Sequence, residues 1–304
     1  MKRCVIFCLF FFICNAQCKD KKIIALLAAR NEEAMIEQCI TGLSFIADSI
    51  IYLDDASTDN SVTIVTQLQN KYNIEKIIVK DQWYRAEAAD KNRLLEEGRR
   101  HNGTHFIILD ADEMVTANCL NNNFLRNKIF SLHPGESLRM YWISLWKGIN
   151  QYNITKSFLK EFIFCDDGKC SYDTSFLHTP RIPANLKGRK FDIVAPKYGI
   201  LHFQFVHWEN FLIKQAWYQC LEKIRTPHKA AHQISYPYMQ TKNELNQKIA
   251  NALPEWFEAY DFFDIACYQI PEKWRKKQVN NWFASYGEKY FDGLNIWDVN
   301  WASS

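Results

Sequence analysis

The amino-acid sequence predicts an α/β protein: a central sheet, parallel in its first half and mixed in its second, followed by a helical C-terminal extension. Three observations carry that expectation. Between Lys22 and Leu109, short apolar runs alternate with longer stretches of helical periodicity, the pattern of repeated βαβ units. After Asp112 the texture changes to aromatic-rich segments with strand-like alternation, and from Glu209 apolar residues recur at helical spacing. With 304 residues, 48% of them apolar, the chain can bury a sizeable core, and neither a linker composition nor an internal repeat divides it. The net charge of +3 supplies no electrostatic footprint for nucleic acid.

In chain order, the first segment stands apart from the fold. Met1 to Arg3 bring positive charge, Cys4 to Cys14 form an unbroken apolar run of eleven residues, and small or polar Asn15, Ala16 and Gln17 follow. This layout reads as a secretory signal peptide over residues 1–18. The apolar run is well short of the roughly 20 residues that cross a bilayer as a helix. The expected location is exported or lumenal, with retention as a short N-terminal anchor as the alternative, and no transmembrane span is expected after cleavage.

The apolar runs Ile23 to Ala29, Ser49 to Leu53, Ile74 to Val79 and Phe106 to Leu109 read as buried parallel strands. Between them, Met35, Ile36, Cys39, Ile40 and Leu43 share one helix face, Ser61 to Gln69 follows a Ser-Thr-Asp start signal, and the charged, proline-free stretch Arg85 to His101 reads as a third helix. Ser137 to Trp146, Phe158 to Phe164 and Tyr198 to His207 read as later strands. Leu212, Ala216, Trp217, Cys220 and Ile224 form one helical stripe, and further helices are expected around Asn243 to Leu253, Trp256 to Cys267 and Glu272 to Tyr286.

Of ten cysteines, Cys4, Cys8, Cys14 and Cys18 lie in or beside the leader. In the body, Cys165 and Cys170 flank the turn-forming Asp-Asp-Gly-Lys and could close a small disulfide loop in an oxidising compartment; a zinc site is the weaker reading, because no second cysteine pair stands nearby. Asn102-Gly-Thr and Asn153-Ile-Thr match the glycosylation acceptor pattern.

Residues just after parallel strands are the natural ligand contacts of such a sheet. Three motifs fall there: AARNEE (Ala28 to Glu33), LDDASTDNS (Leu53 to Ser61) and FIILDADE (Phe106 to Glu113). Asp110 and Asp112 can share one hard divalent cation, or they can be N-capping acids before a helix. Asp54 and Asp55 can accept hydrogen bonds from a base or a ribose, beside a helix cap made by Ser57, Thr58 or Asp59. Asn31 and Glu32 can cap the first helix or face the same cleft.

Together these motifs resemble those of the family 2 glycosyltransferases of the GT-A fold, specifically non-processive bacterial-type members, over roughly Ile23 to Val115. The resemblance implies a Rossmann-like nucleotide-sugar-binding domain with a mixed central sheet over 19–225 and a helical extension over 226–304. It implies Ala28, Arg30 and Glu32 lining the nucleotide cleft, Asp54 and Asp55 on base or ribose, and Asp110 and Asp112 holding Mn²⁺ or Mg²⁺. Arg85, Asp90 and Asn92 lie where the family approaches the donor, and a solvated helix start is an equal reading for Arg85. The stretch LHFQFVHWENFLIKQAWYQ (Leu201 to Gln219) is similar to a segment of some bacterial members. There His202 is either a third metal ligand or a core histidine; His207 is expected on the opposite face of a strand. A general base is sought among Asp166, Asp167 and Asp173, with Asp167 the choice. The Glu-Asp and Gln-x-x-Arg-Trp set of processive synthases is missing from the sequence.

The implied activity is transfer of a sugar from a nucleoside-diphosphate sugar, UDP-linked by expectation, to a hydroxyl on a glycan, lipid or protein, with inversion. Its rival is an exported glycan-binding or degenerate transferase module, suggested by the 15% aromatic content. A nucleotidyltransferase would open with a Gly-rich phosphate loop, which AARNEE is not. A haloacid-type phosphatase would carry Thr or Val where Met114 stands.

Overall fold

A computed structural model describes residues 20–302 apart from 85, 174–178, 194–196, 259 and 272. The leader and Arg85 lie outside the described residues. In chain order the elements are β1 (Ile23–Ala29), α1 (Ile36–Ser44), β2 (Ser49–Asp54), α2 (Ser61–Leu68), β3 (Ile74–Val79), α3 (Glu87–Arg100), β4 (His105–Leu109), β5 (Glu113–Val115) and α4 (Phe124–Phe130). There follow β6 (Ser137–Trp146), β7 (Gln151–Asn153), β8 (Phe158–Cys165), β9 (Lys190–Asp192), β10 (Gly199–Phe205), α5 (Trp208–Arg225), α6 (Ala231–Lys242), β11 (Ile249–Asn251) and α7 (Trp274–Tyr286).

The sheet is mixed, as expected: β4, β1, β2 and β3 are parallel neighbours, and β8 joins β4 antiparallel. Beyond β8 lie β6, β7 and β11, with β10 parallel to β6 and β5 antiparallel to β10. Strand alternation divides β1 between two cores. Ile23, Ala25 and Leu27 pack with α1, α2 and α4 on one face, while Ile24 and Leu26 pack with Leu94 and Leu95 of α3 on the other. Covered on both faces, these strands can be apolar throughout.

Helices α5, α6 and α7 form their own apolar cluster around Trp217, Cys220, Ile234, Val279 and Phe283. Two C-terminal expectations are corrected. The segment expected as a helix around 243–253 contains a short 3₁₀ turn at Glu244–Asn246 and then β11, because its backbone completes the open edge of β7. The segment 256–267, expected as a helix, is irregular, with 3₁₀ turns at Pro254–Trp256 and Ile265–Gln269; the buried Trp256 and Tyr260, and Tyr268 just beyond it, follow the surface of β10 and β6 rather than a helix face. The helix expected around 272–286 forms as α7, and a further helix not expected from the sequence, α6, holds Pro237 inside it, which masks the helical signal in the sequence.

Cys165 and Cys170 are free thiols, contrary to the disulfide expectation. Cys165 packs into the core on one face of the sheet and Cys170 into the core on the other, so the sheet itself separates them. The Asn153 side chain is also withdrawn from modification: it is fully buried, donates to Gln247 and accepts from the Lys156 amide.

Candidate active site

The C-terminal ends of β1, β2, β3 and β4 open on one edge of the sheet, and the motif residues assemble there. The loops after β1 and β2 are tied to each other: the Asn31 carboxamide accepts from the Thr58 amide at 2.7 Å, Ser57 Oγ accepts from the Asn31 amide, and Ser61 Oγ accepts from the Glu32 amide. Asn31 and Ala56 sit at φ +54° and +56°, and the cross-loop bonds hold that left-handed backbone. Asn31 is therefore neither a helix cap nor a free cleft group.

Asp54 and Asp55 divide their roles. Asp54 is fully buried, accepting from the Tyr52 hydroxyl at 3.1 Å and the Ser57 amide at 2.7 Å, so it holds the turn rather than a ligand. Asp55 faces the cleft on Lys80, whose Nζ lies 2.6 Å from Asp55 and 2.8 Å from Asp90. Burial opposes the charge on Lys80, but these two carboxylates outweigh it and raise its pKa. Arg30 donates to the Asp55 carbonyl and lies between Trp83 and Trp274, 4.7 and 5.3 Å from their ring centres, which seats α7 against the cleft edge. Ala28 is a packing residue on the α3 side of β1. Asn92 is spoken for: its carboxamide donates to the Tyr172 carbonyl and accepts from the Tyr172 amide, both at 2.8 Å. It clamps the loop rather than a donor.

Asp110 to Glu113 make a tight turn, closed by the Glu113 amide donating to the Asp110 carbonyl at 3.0 Å, that leads from β4 directly into β5. A strand follows, so the helix-capping reading of these acids fails. The β5–β10 register sets His202 opposite Glu113, and His202 Nε2 lies 3.5 Å from Asp112 Oδ2. His202 is nearly buried and stacks on Trp142 with ring centres 4.4 Å apart. Burial lowers its pKa against the pull of Asp112, which keeps the imidazole neutral.

Three cationic residues that sequence reasoning missed converge on these acids. Arg181 Nη2 lies 2.6 Å from Asp110 and also donates to Glu113, while its Nε and Nη1 are buried without a hydrogen-bond partner among the described residues. Lys214 of α5 reaches Asp112 Oδ2 at 3.1 Å. Lys160 of β8 lies 3.8 Å over the Trp142 ring, whose Nε1 donates to Glu113 at 2.7 Å. Desolvation in the cleft works against ionised Asp110, whose side chain is nonetheless more than half exposed, and Arg181 outweighs it; burial works against ionised Asp112, but Lys214 and the hydrogen bond from His202 hold it well below the usual carboxylate range. At Glu113, wholly buried, desolvation wins over the same Arg181 and pushes the carboxyl up. Glu113 was legible as the last residue of FIILDADE, and Lys214 lies within the quoted Leu201 to Gln219 stretch; Arg181 had no signal beyond its flanking prolines.

Asp167 is corrected. The β4–β8 pairing is antiparallel, with Cys165 opposite His105 and the Asp166 amide on the Thr104 carbonyl, so Asp166 and Asp167 lie at the start of β4 while Asp110 follows its end. The strand separates them by roughly 17 Å at about 3.3 Å per residue. The Asp167 carboxylate instead caps its own turn, accepting from the Lys169 and Cys170 amides at 2.8 and 2.7 Å. His207 is likewise not on a strand; it caps α5 by accepting from the Asn210 amide.

Parallel strands ending at one edge, with acids and cations facing a common cleft, are the arrangement in which open α/β sheets bind ligands. Residues 25–122 match the family "Glycosyl transferase family 2", so the chain carries a family 2 glycosyltransferase domain in this segment, as the motifs implied. No curated protein sequence matches the chain. Among solved structures, TarS 1-349 of S. aureus in complex with UDP is similar at 18% identity and TM-score 0.38, over 64% of this chain and 63% of that one. The mannosyltransferase PcManGT of Pyrobaculum calidifontis, in complex with GDP-Man and Mn²⁺, is similar at 14% identity and TM-score 0.37, over 92% and 88%. GalNAc-T7 with UDP, GalNAc and Mn²⁺ is similar at 10% identity and TM-score 0.41, over 83% and 59%. The chain thus spans less than two thirds of the TarS fragment, and the assignment rests on the family match and the motifs rather than on these overall similarities.

Proposed function

We propose that the protein transfers a sugar from a nucleoside-diphosphate donor, UDP-linked in our reading, to a hydroxyl acceptor on a glycan, lipid or protein, with inversion at the anomeric carbon. The observation that carries this is the meeting of the family motifs at one sheet edge: Arg30 and Asp55 at the ends of β1 and β2, with Asp110, Asp112 and His202 beside them. The donor nucleotide would lie over Arg30, Asp55 and Lys80, with its diphosphate toward Asp110 and Asp112.

Mn²⁺ or Mg²⁺ fits the donor set at Asp110, Asp112 and His202. Two carboxylates and a neutral imidazole suit such a cation, and Asp112 Oδ2 and His202 Nε2 already face each other at 3.5 Å. Asp110, with its side chain 57% exposed, would be the third ligand. Among the described residues the three ligand groups that close within 4.8 Å of one another are Asp166, Asp167 and Cys170, not this trio. When bound, the cation would offset the charge of the diphosphate leaving group. The residues themselves act as follows: Trp142 orients His202 by stacking, Glu113 braces the turn through the Asp110 amide, and Arg181 sets Asp110.

The test is turnover of a panel of nucleotide sugars with Mn²⁺, comparing wild type with Asp110→Ala and Asp112→Ala, with NMR of the product anomer for stereochemistry. Loss of at least about a hundredfold in both variants is expected. Turnover that survives both substitutions would overturn the assignment. A glycan-binding module is the second reading, favoured by a groove of about 710 Å³ between α6 and 293–297 where Tyr236 and Trp297 are exposed; glycan binding with no donor turnover would put it ahead. We also propose export or lumenal residence, from the leader at 1–18; no helix among the described residues is long and apolar enough to cross a membrane. N-terminal sequencing of the mature chain tests it.

A further inference from the structure

The acids after β4 already carry their counter-charges within the protein. Asp112 faces Lys214 Nζ at 3.1 Å, and Asp110 and Glu113 share Arg181. The Lys214 side chain is only 19% exposed, and its ammonium lies on the same Asp112 Oδ2 that faces His202 Nε2. A divalent cation and an ammonium cannot both own that oxygen in a partly buried site without strong mutual repulsion. A cation arriving alone would leave Lys214 crowded against it with its Asp112 partner withdrawn, while Arg181 would keep only Glu113. A diphosphate arriving with the cation resolves the conflict, because its ionised oxygens offer Lys214 a new partner.

We propose that Lys214 couples the two ligands: it holds Asp112 before they bind, moves to the diphosphate when donor and cation enter together, and so makes each bind better in the presence of the other. This rests on the metal and donor reading given above and adds to it a residue and an order of events. Because coupling is reciprocal, the factor by which a nucleoside diphosphate raises cation affinity equals the factor by which the cation raises nucleotide affinity.

The experiment measures free Mn²⁺ by electron paramagnetic resonance as the full-length protein is titrated, without nucleotide and with saturating UDP. The proteins are wild type, Lys214→Gln, Lys214→Met and Lys214→Arg, each checked for native circular dichroism; Gln keeps a hydrogen bond to Asp112 should Met disturb folding. Wild type is expected to bind Mn²⁺ weakly alone and about tenfold or more tighter with UDP. The neutral variants should bind Mn²⁺ alone about tenfold tighter than wild type and lose most of the UDP enhancement, while Lys214→Arg retains it. Neutral variants that match wild type in Mn²⁺ affinity and in UDP enhancement would overturn the role of Lys214 and leave the metal site standing. Equal shifts in all three variants would also overturn it, since charge would not be the cause. Failure of wild type to bind Mn²⁺ even with UDP would sink the metal reading itself.

Discussion

Removing the Arg181 guanidinium should expose how much of the cleft's stability depends on pairing one buried acid. Arg181→Met keeps apolar volume beside Phe162 and Trp142, whose rings lie 5.1 and 5.8 Å from the guanidinium, but leaves Glu113 wholly buried without its cation. The Asp110 side of the pair is more than half exposed and contributes little. Burial already raises the Glu113 pKa to about 8, so at pH 7 the carboxyl is mostly protonated even with Arg181 in place. Against its ordinary value of 4.5, holding that proton at pH 7 costs the folded state about 3.4 kcal/mol at 1.36 kcal/mol per unit, in wild type and variant alike. The substitution therefore costs at pH 7 only the guanidinium's own hydrogen bonds, about 1 kcal/mol, and above pH 8 it adds up to about 1.4 kcal/mol per pH unit, because wild type can ionise Glu113 against Arg181 and the variant cannot. The assay is urea unfolding from pH 6 to 9.5. The loss should be flat below about pH 7, where both proteins hold the proton, and grow above about pH 8. Glu113→Gln added to Arg181→Met should remove that growth, since the amide still accepts from Trp142 Nε1. A loss that does not grow above pH 8 would refute the reasoning.

Three further outcomes follow from the geometry. At Gly98 of α3 an added Cβ would sit 2.4 Å from Cε1 of the buried Phe106 ring, so Gly98→Ala should destabilise by about 1–3 kcal/mol in thermal unfolding despite the better helix former. His105 is buried at the start of β4 and its pKa is lowered from 6.5 by burial, so the unfolded chain binds the proton first as pH falls. The His105 contribution is therefore complete above about pH 6.5 and is lost below it, and His105→Gln should flatten the stability profile between about pH 6.5 and 5, as read by denaturant midpoints. Asp167→Asn should leave donor turnover within about twofold of wild type, because its carboxylate caps a turn at the far end of β4; a loss beyond tenfold would return it to the site.

The sequence by itself determined the seven longer strands among the described residues, three of the cleft's helices and the acids at the strand ends, because these depend on local properties; the three-residue strands β5, β7, β9 and β11 were not legible in it. An apolar run such as Ile23 to Ala29 has few ways to be buried other than as a central strand, and turn-forming residues behind it mark where the chain re-emerges. The helical periodicity of Met35 to Leu43 and the parallel order of the first four strands were legible for the same reason. The C-terminal segment 243–267 was not, since its aromatic spacing reflects the sheet surface it packs against and its backbone completes another strand's edge.

Only the tertiary structure decided which of the acids could act, because that depends on strand direction and on partners distant in the chain. Antiparallel entry of β8 carried Asp167 to the wrong end of β4, and the sheet placed Cys165 and Cys170 in opposite cores. Asp54 and Asn92 were drawn into holding loops, while Lys80, Arg181 and Lys214 arrived from separate segments to face Asp55, Asp110 and Asp112. A carboxylate's position is written in its own motif; its charge state and its availability to a ligand are set by whichever cation the fold brings within reach.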